Sequence, residues 1–419
     1  MSGTLLVRGA RQLITLRGSA GPRRGAALQE LGIIRDGALL IEDGRIVEVG
    51  LSRRVENLVL AHRSQEIDVT GRVVMPGFVD CHAHVVWGTP SLDDYEARIA
   101  GVTQEPPRGP EPIVQALRSA SAKRLESRAR QFINAMIRHG TTTLEAKSGF
   151  GLDARGELKF LRAQARLDRA PLDIASTFLA PRSLPAAYAG NAAGYISWMC
   201  SELLPAVRRR GFARFAGLRC GEGGFTMEDS RRFLHAARDL GFQLKVHAGV
   251  CPPGDAVRVA VEVGAASLDH LQSAGPEDTD LLARSNTVAV LLPGAALPHG
   301  GPPSADARQL IDGGAAVALG TNFNPGFTST LSMPMIVALA CASLSMTPSE
   351  AVCAATINAA CATGSEAVAG SLEVGKPADF VVLNASDYRE IACHFGVNLV
   401  NRTVKRGVTI YQEGKVTGR

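Results

Sequence analysis

The sequence has no pair of cysteines at CxxC spacing, although it holds eight: Cys81, Cys200, Cys220, Cys251, Cys341, Cys353, Cys361 and Cys393. Scattered through 419 residues, they read as reduced, mostly buried thiols and exclude a disulfide framework. Long apolar runs are lacking as well. The longest, Met333 to Cys341, falls far short of the ~20 residues needed to span a bilayer. The opening segment, MSGTLLVRGARQLITLRGS, has no unbroken apolar core and no obvious cleavage site of a secretory signal. The expectation is a soluble, cytoplasmic protein with no membrane partner. Charge of one sign is also missing, since 45 basic residues face 40 acidic ones. The nearest thing to a basic block is Arg208-Arg209-Arg210, which reads as an exposed helix end, so no nucleic-acid partner is expected. Aromatic residues make up only 5%, but 46% of the chain is hydrophobic, which excludes a disordered protein. The length suits one large domain of roughly 250–300 residues with a smaller companion.

Two rhythms run along the chain. LLVRGARQLITL, ALLIEDGRIVEVG and EIDVTGRVVMPG near the start read as short strands broken by turn residues, with Asp43-Gly44 as a hairpin signal. GSLEVGKPADFVVL and VNLVNRTVKRGVTIYQEGKV repeat that character near the end. Residues 1–75 and 366–419 are therefore expected to build one small composite β-sandwich domain. Between them, over 76–365, short apolar runs end in polar or glycine residues and are followed by helix-like stretches. GFVDCHAH, TTTLEAKSG, LDIASTFLAPR, RFAGLRCGE, FQLKVHAG, ASLDHL, TVAVLLPG and AAVALGTNFNP make eight such units. Eight strand–helix units predict an α/β fold, the (β/α)8 TIM barrel. A single helix is expected between Thr347 and Gly364, opened by the capping box Thr347-Pro348-Ser349-Glu350. Pro106 to Pro110 marks a loop.

Catalytic groups of such barrels gather at the C-terminal strand ends. There the sequence places His82 and His84 on strand 1, His247 on strand 5, Asp269-His270 on strand 6 and Asn322 on strand 8. Residues two apart on a strand point the same way, so His82 and His84 can share one ion. Core histidines satisfied by backbone are the plain alternative. Four of the nine histidines falling at one barrel face weigh against it.

MPGFVDCHAH, GTTTLEAKSGFGLD, LKVHAG, LDHL, VAVLLPG, NPG and SMPMIVALACASLSMTPSEAVCAATINAA resemble the amidohydrolase superfamily, and more closely its imidazolonepropionase-like branch. The resemblance covers nearly the whole chain. It implies His82, His84 and His247 as metal ligands, with Asn322 at the remaining metal position and His270 positioning water or substrate oxygen. Zn²⁺ is the expected ion and Fe²⁺ the alternative. The bound water would attack a carbonyl or amidine carbon. The superfamily's bridging lysine comes from strand 4, so Lys147 on strand 2 is not expected to bridge metals, and one ion is expected.

The departures matter equally. The family's strand-8 motif carries an aspartate that shuttles a proton, whereas Gly320-Thr321-Asn322-Phe323 offers an amide, which cannot accept one. Activity by that route should fall by ~10²–10⁴. Asn322 is then an introduced substitution, a natural change with another base such as His270, or the mark of an inactive protein. In the substrate pocket, Ser91, Gln104, Phe150, Arg182 and Val250 stand where imidazolonepropionases keep polar groups. Trp87, Ser91, Phe150, Arg182 and Phe323 become the expected substrate-binding residues, with Phe327 and Cys251 nearby. This points away from imidazolonepropionase itself. It points toward hydrolysis of an amide in a small molecule or modified peptide. The bottromycin-type amidohydrolases, which remove a follower peptide beside an azoline or macrocycle, are the most specific match. Opening of a cyclic amide or imidazolone ring is the alternative, and a non-catalytic binding protein the third. A homodimer is the expected assembly.

Overall fold

The computed structural model describes residues 3–18, 21–87, 92–100, 112–168, 171–181, 184–221, 225–248, 253–271, 273–295, 306–324 and 330–414. Its centre is an eight-stranded parallel sheet in sequential order. The strands are β1 (Phe78–Ala83), β2 (Thr141–Lys147), β3 (Asp173–Leu179), β4 (Phe215–Arg219), β5 (Gln243–His247), β6 (Ser267–Asp269), β7 (Val288–Leu291) and β8 (Val317–Leu319). All eight expected units are present. Strands β1, β2 and β6 to β8 are buried along their whole length, as expected of parallel strands covered on both faces.

Polar groups close the cylinder. The Asp80 carboxylate on β1 accepts from Thr321 N at 3.0 Å and from Thr321 Oγ1 at 2.5 Å, just past β8. His84 N donates to Phe323 O at 2.8 Å, and Ala83 bridges Phe323 in parallel. These bonds carry β1 and β8 past their own ends and bring His82, His84 and Asn322 to one rim.

Helices cover the outside. Helix α1 (Ala122–Arg138) starts where Ser121 accepts from Arg124 N, and it buries Leu125, Ala129, Ile133, Met136 and Ile137. That is one stripe at helical period, and each of the larger side chains contributes roughly 1.5–3 kcal/mol by leaving water. Helix α2 (Ala154–Leu167) is capped by Asp153, which accepts from Gly156 N at 2.7 Å. Helix α3 (Met333–Leu344), the most apolar stretch, is a core helix, and no helix among the described residues is long and apolar enough to cross a membrane.

The single helix expected over 347–364 is two: α4 (Pro348–Ala354), with its capping box, and α5 (Ile357–Ala362). Val79 N of β1 takes Ala355 O at 3.0 Å, and Thr356 Oγ1 takes Val352 O at 2.6 Å. The barrel thus claims a carbonyl that the helix ladder would otherwise use, and the helix breaks there.

The chain termini build two further sheets. One orders Arg45–Leu51, Gly37–Glu42, Thr4–Ala10 and Gln65–Asp68. The other orders Val408–Gln412, Val400–Lys405, Phe380–Leu383, Val73–Pro76, Gln12–Ile14 and Ile33–Ile34. Val7, Leu13, Leu39, Ile41, Val74, Phe380, Val382 and Val404 share the core between them, the small sandwich expected. Asp43-Gly44 turns the expected hairpin with φ of 49° and 77°. A Cβ on Gly44 would meet Arg406 O at 2.6 Å, which requires glycine there.

The described cysteines are all free thiols. Cys81, Cys220 and Cys353 are buried, Cys200, Cys341 and Cys361 half-buried, and Cys393 exposed; Cys251 lies outside the described residues. Arg208, Arg209 and Arg210 end an exposed helix turn, as expected.

Candidate metal centre

Three imidazoles meet at the C-terminal rim. His82 on β1, His247 at the end of β5 and His270 just past β6 place ligand nitrogens within 4.8 Å of one another. Asp269 orients one of them and lies beside a second. Its Oδ2 lies 2.8 Å from His82 Nδ1 and 3.4 Å from His247 Nε2. An ionised carboxylate only accepts, so Nδ1 of His82 carries the proton and Nε2 keeps its lone pair. Among the described residues that Nε2 is buried without a hydrogen-bond partner, as are both ring nitrogens of His247. Unmet buried polar atoms cost roughly 1–3 kcal/mol each.

Electrostatics keep the rings uncharged. Burial pushes His82 and His247 well below the ordinary imidazole value, and Lys147 adds to the effect. His270 is pushed down to about 4 by burial and by Arg219. His84 is lowered by burial, then by His82 and Arg219. Neutral imidazoles with free lone pairs are what a divalent transition ion requires, so these residues fit one.

Beneath the rim lies a buried charge lattice that sequence reading missed. Lys147 Nζ touches Glu145 Oε1 at 2.6 Å and Asp269 Oδ2 at 2.8 Å. Lys245 Nζ reaches Glu145 Oε2 at 2.9 Å, Ser267 Oγ at 3.2 Å and Ala362 O at 2.8 Å. Thr177 Oγ1 also donates to Glu145, and Ser267 Oγ to Asp269 Oδ1. Burial alone would raise the Asp269 carboxyl, but Lys147 and His82 outweigh it and hold it well below the usual range. Lys147 is therefore an anchor of Asp269, in keeping with the expectation that it does not bridge metals. Arg219, the other missed charge, pairs in register with His247 and so faces the same side of the sheet.

The expected residues divide as follows. His82 and His247 join the closest group. His84 does not: its ring stands 5.7 Å from that of His82, while His270 lies 4.9 Å from it. The reason is packing, because Phe150 and Trp87 meet the His84 ring edge-on at 5.3 and 6.2 Å. Trp87 and Phe150 touch at 4.3 Å and form one apolar wall. Phe323, expected at the pocket, is buried in the same apolar cluster as Trp87, with its ring 4.9 Å from Phe132 of α1. Asn322 and His270 both hold left-handed backbone, φ 53° and 58°. Non-glycine residues in that region cluster at functional sites. Ser91, Gln104, Arg182, Val250, Cys251, Phe327 and the loop 106–110 lie outside the described residues.

A closed parallel barrel with uncharged imidazoles at its C-terminal rim is the framework of a metal-dependent hydrolase. The comparisons agree. The amidohydrolase family matches residues 221–416. Imidazolonepropionase of Symbiobacterium thermophilum is 42% identical over 99% of this chain and 99% of its own length. That of Geobacillus thermodenitrificans is 40% identical over 98% and 99%. A zinc-bound adenosine deaminase from Xanthomonas campestris shares the fold, with a TM-score of 0.68 at 16% identity over 99% of this chain and 94% of that one. The chain belongs to the amidohydrolase superfamily, in its imidazolonepropionase-like branch, whose members hydrolyse carbon–nitrogen bonds.

Proposed function

We propose that this protein opens a small cyclic amide whose ring lies against an apolar wall, with one divalent ion, Zn²⁺ before Fe²⁺, held by His82, His247 and His270. The observation that carries this is the group of three imidazole donors, of which His82 and His247 hold buried nitrogens with no hydrogen-bond partner among the described residues. When bound, such an ion supplies Lewis-acid activation of water and of the substrate carbonyl. The chain's own residues do the rest. Asp269 fixes the His82 tautomer, and Lys147 keeps Asp269 ionised. Trp87 and Phe150 shield one side of the mouth, and the buried Trp87 Nε1–H has no partner among the described residues, leaving a donor for a ring carbonyl.

Proton transfer is the weak step. Asn322 cannot accept a proton, and Asp269 is held too acidic to take one. His270 is uncharged at neutral pH, but as a ligand its lone pair would be taken by the ion, so it supplies no free base either. The relatives spanning the whole chain are named for imidazolone propionate, a small ring, which supports a small cyclic substrate over a follower peptide. Phe150 in place of a polar pocket residue argues that this chain takes a less polar ring than theirs.

The test is a panel of imidazolone propionate, hydantoins and dihydropyrimidinones with apolar substituents, offered to the zinc-loaded protein and to Asn322→Asp. Ring opening of an apolar member is expected. Turnover of imidazolone propionate at ordinary enzymatic rates would return the chain to the relatives' activity, and silence of both forms would favour a binding protein.

A further inference from the structure

Glu157, in the first turn of α2, is fully buried and pairs with no cation among the described residues. Its two oxygens go to the backbone of the loop after β2. Oε1 accepts from Gly151 N at 2.6 Å and Oε2 from Gly149 N at 3.2 Å. Between those two amides sits Phe150, whose ring meets Trp87 at 4.3 Å and His84 at 5.3 Å. The loop lies so close to α2 that a Cβ on Gly151 would stand 2.1 Å from Glu157 N. Leu152 follows in left-handed backbone, φ 63°, with its carbonyl taken by Tyr195 Oη at 2.8 Å.

A loop pinned on both sides of one aromatic ring has little freedom to move that ring. We propose that Glu157 is a positioning residue, whose carboxylate clamps Gly149 and Gly151 and so sets Phe150 against Trp87 and His84, fixing the apolar wall and hence which rings the pocket admits. The functional weight of that wall rests on the reading above. The clamp itself does not.

Burying a carboxylate is costly, and a helix does not need one there, because Asp153 already caps α2. The plain alternative is that Glu157 stabilises the fold and nothing more. The two are separable, since Trp87 touches Phe150 but is not bonded to Glu157.

The chain has two tryptophans, so a Trp198→Phe background leaves Trp87 as the reporter. Glu157, Glu157→Gln and Glu157→Ala are compared in that background at pH 8 with zinc present. Gln keeps one acceptor oxygen and Ala keeps none. Exchange of the Gly149 and Gly151 amides should quicken about tenfold or more in the Ala variant and by less in the Gln variant. Trp87 emission should shift to the red and become more accessible to acrylamide in the same order. With Phe150→Ala also present, Glu157→Ala should change Trp87 emission no further. A lower melting temperature with unchanged Trp87 emission and unchanged loop exchange would overturn the proposal and leave Glu157 a stability residue. So would an equal Trp87 shift on Glu157→Ala with and without Phe150. If Ala fails to fold, the Gln variant decides by the same readouts. Neither readout needs turnover, so failure here leaves the hydrolytic reading standing, and absence of hydrolysis leaves the clamp standing.

Discussion

Replacing Lys147 by methionine keeps the length of the side chain and removes only its ammonium group. That ammonium is the shared partner of Glu145 and Asp269, at 2.6 and 2.8 Å, with all three groups fully buried. Losing one partner of a buried pair typically costs about 3–5 kcal/mol, because the charge left behind cannot be rehydrated. Here the remaining contacts soften the loss unevenly. Glu145 keeps Lys245 and Thr177, whereas Asp269 keeps the uncharged groups Ser267, His82 and His247. Lys147→Met should therefore destabilise by about 3 kcal/mol, and most of the loss should trace to Asp269. Urea unfolding at pH 7.5 of the wild type, Lys147→Met, Asp269→Asn and the double variant forms a cycle in which the pair should show coupling of about 1–3 kcal/mol. Lys147→Met should also bind zinc more weakly, because an untethered Asp269 no longer fixes His82. Additive single-variant losses, or unchanged zinc affinity, would refute the view that Lys147 acts through Asp269.

Three further outcomes are expected. The purified protein should carry close to one transition-metal ion by mass spectrometry, and His82→Ala combined with His84→Ala should abolish it; retained metal would remove β1 from the site. Asn322→Asp should leave the binding of an accepted cyclic amide within about tenfold and raise its single-turnover rate ~10²–10⁴-fold, whereas equal rates would make another group the base. The Glu157 carboxyl is pushed up to about 7 by burial from an ordinary 4.5, so the folded state holds this proton more tightly than the unfolded chain. Its stabilising effect is complete below pH 4.5 and lost as pH rises through about 7, and relative to Glu157→Gln the wild type should lose at most about 3 kcal/mol between pH 4.5 and 8; parallel urea midpoints would contradict this.

The barrel was legible because each strand is an apolar run that stops at a polar or glycine residue, even where the strand is only Ser267–Asp269 or Val317–Leu319. His82, His247 and His270 were legible for the same reason, since they sit where those runs stop. The charge lattice was not read, though it left a trace: Glu145 and Lys147, Lys245 and His247, and Ser267 and Asp269 each stand two apart inside apolar strands. That spacing puts each pair on one face, and register then lays Lys245 beside Ser267 and His247 beside Asp269. Which strands are neighbours is a property of the closed sheet, so the partners could not be named from spacing alone. The break at Thr356 was illegible for a related reason. Its cause is Val79, far away in sequence, and local propensity carries no information about a carbonyl taken by a distant strand.

The strand Val73–Pro76 lies between Gln12–Ile14 from one end of the chain and Phe380–Leu383 from the other, and it runs almost directly into β1. During synthesis that strand and His82 emerge long before the flanking strand Phe380–Leu383. The entry to the barrel must therefore wait with one edge unpaired, and contacts between such distant segments close slowly. Removal of the final sheet strands would be felt at the opposite end of the molecule, at the rim that holds His82. Competence to bind an ion would thus wait for Phe380–Leu383 to be made, and a proteolytic cut that frees this strand would remove it.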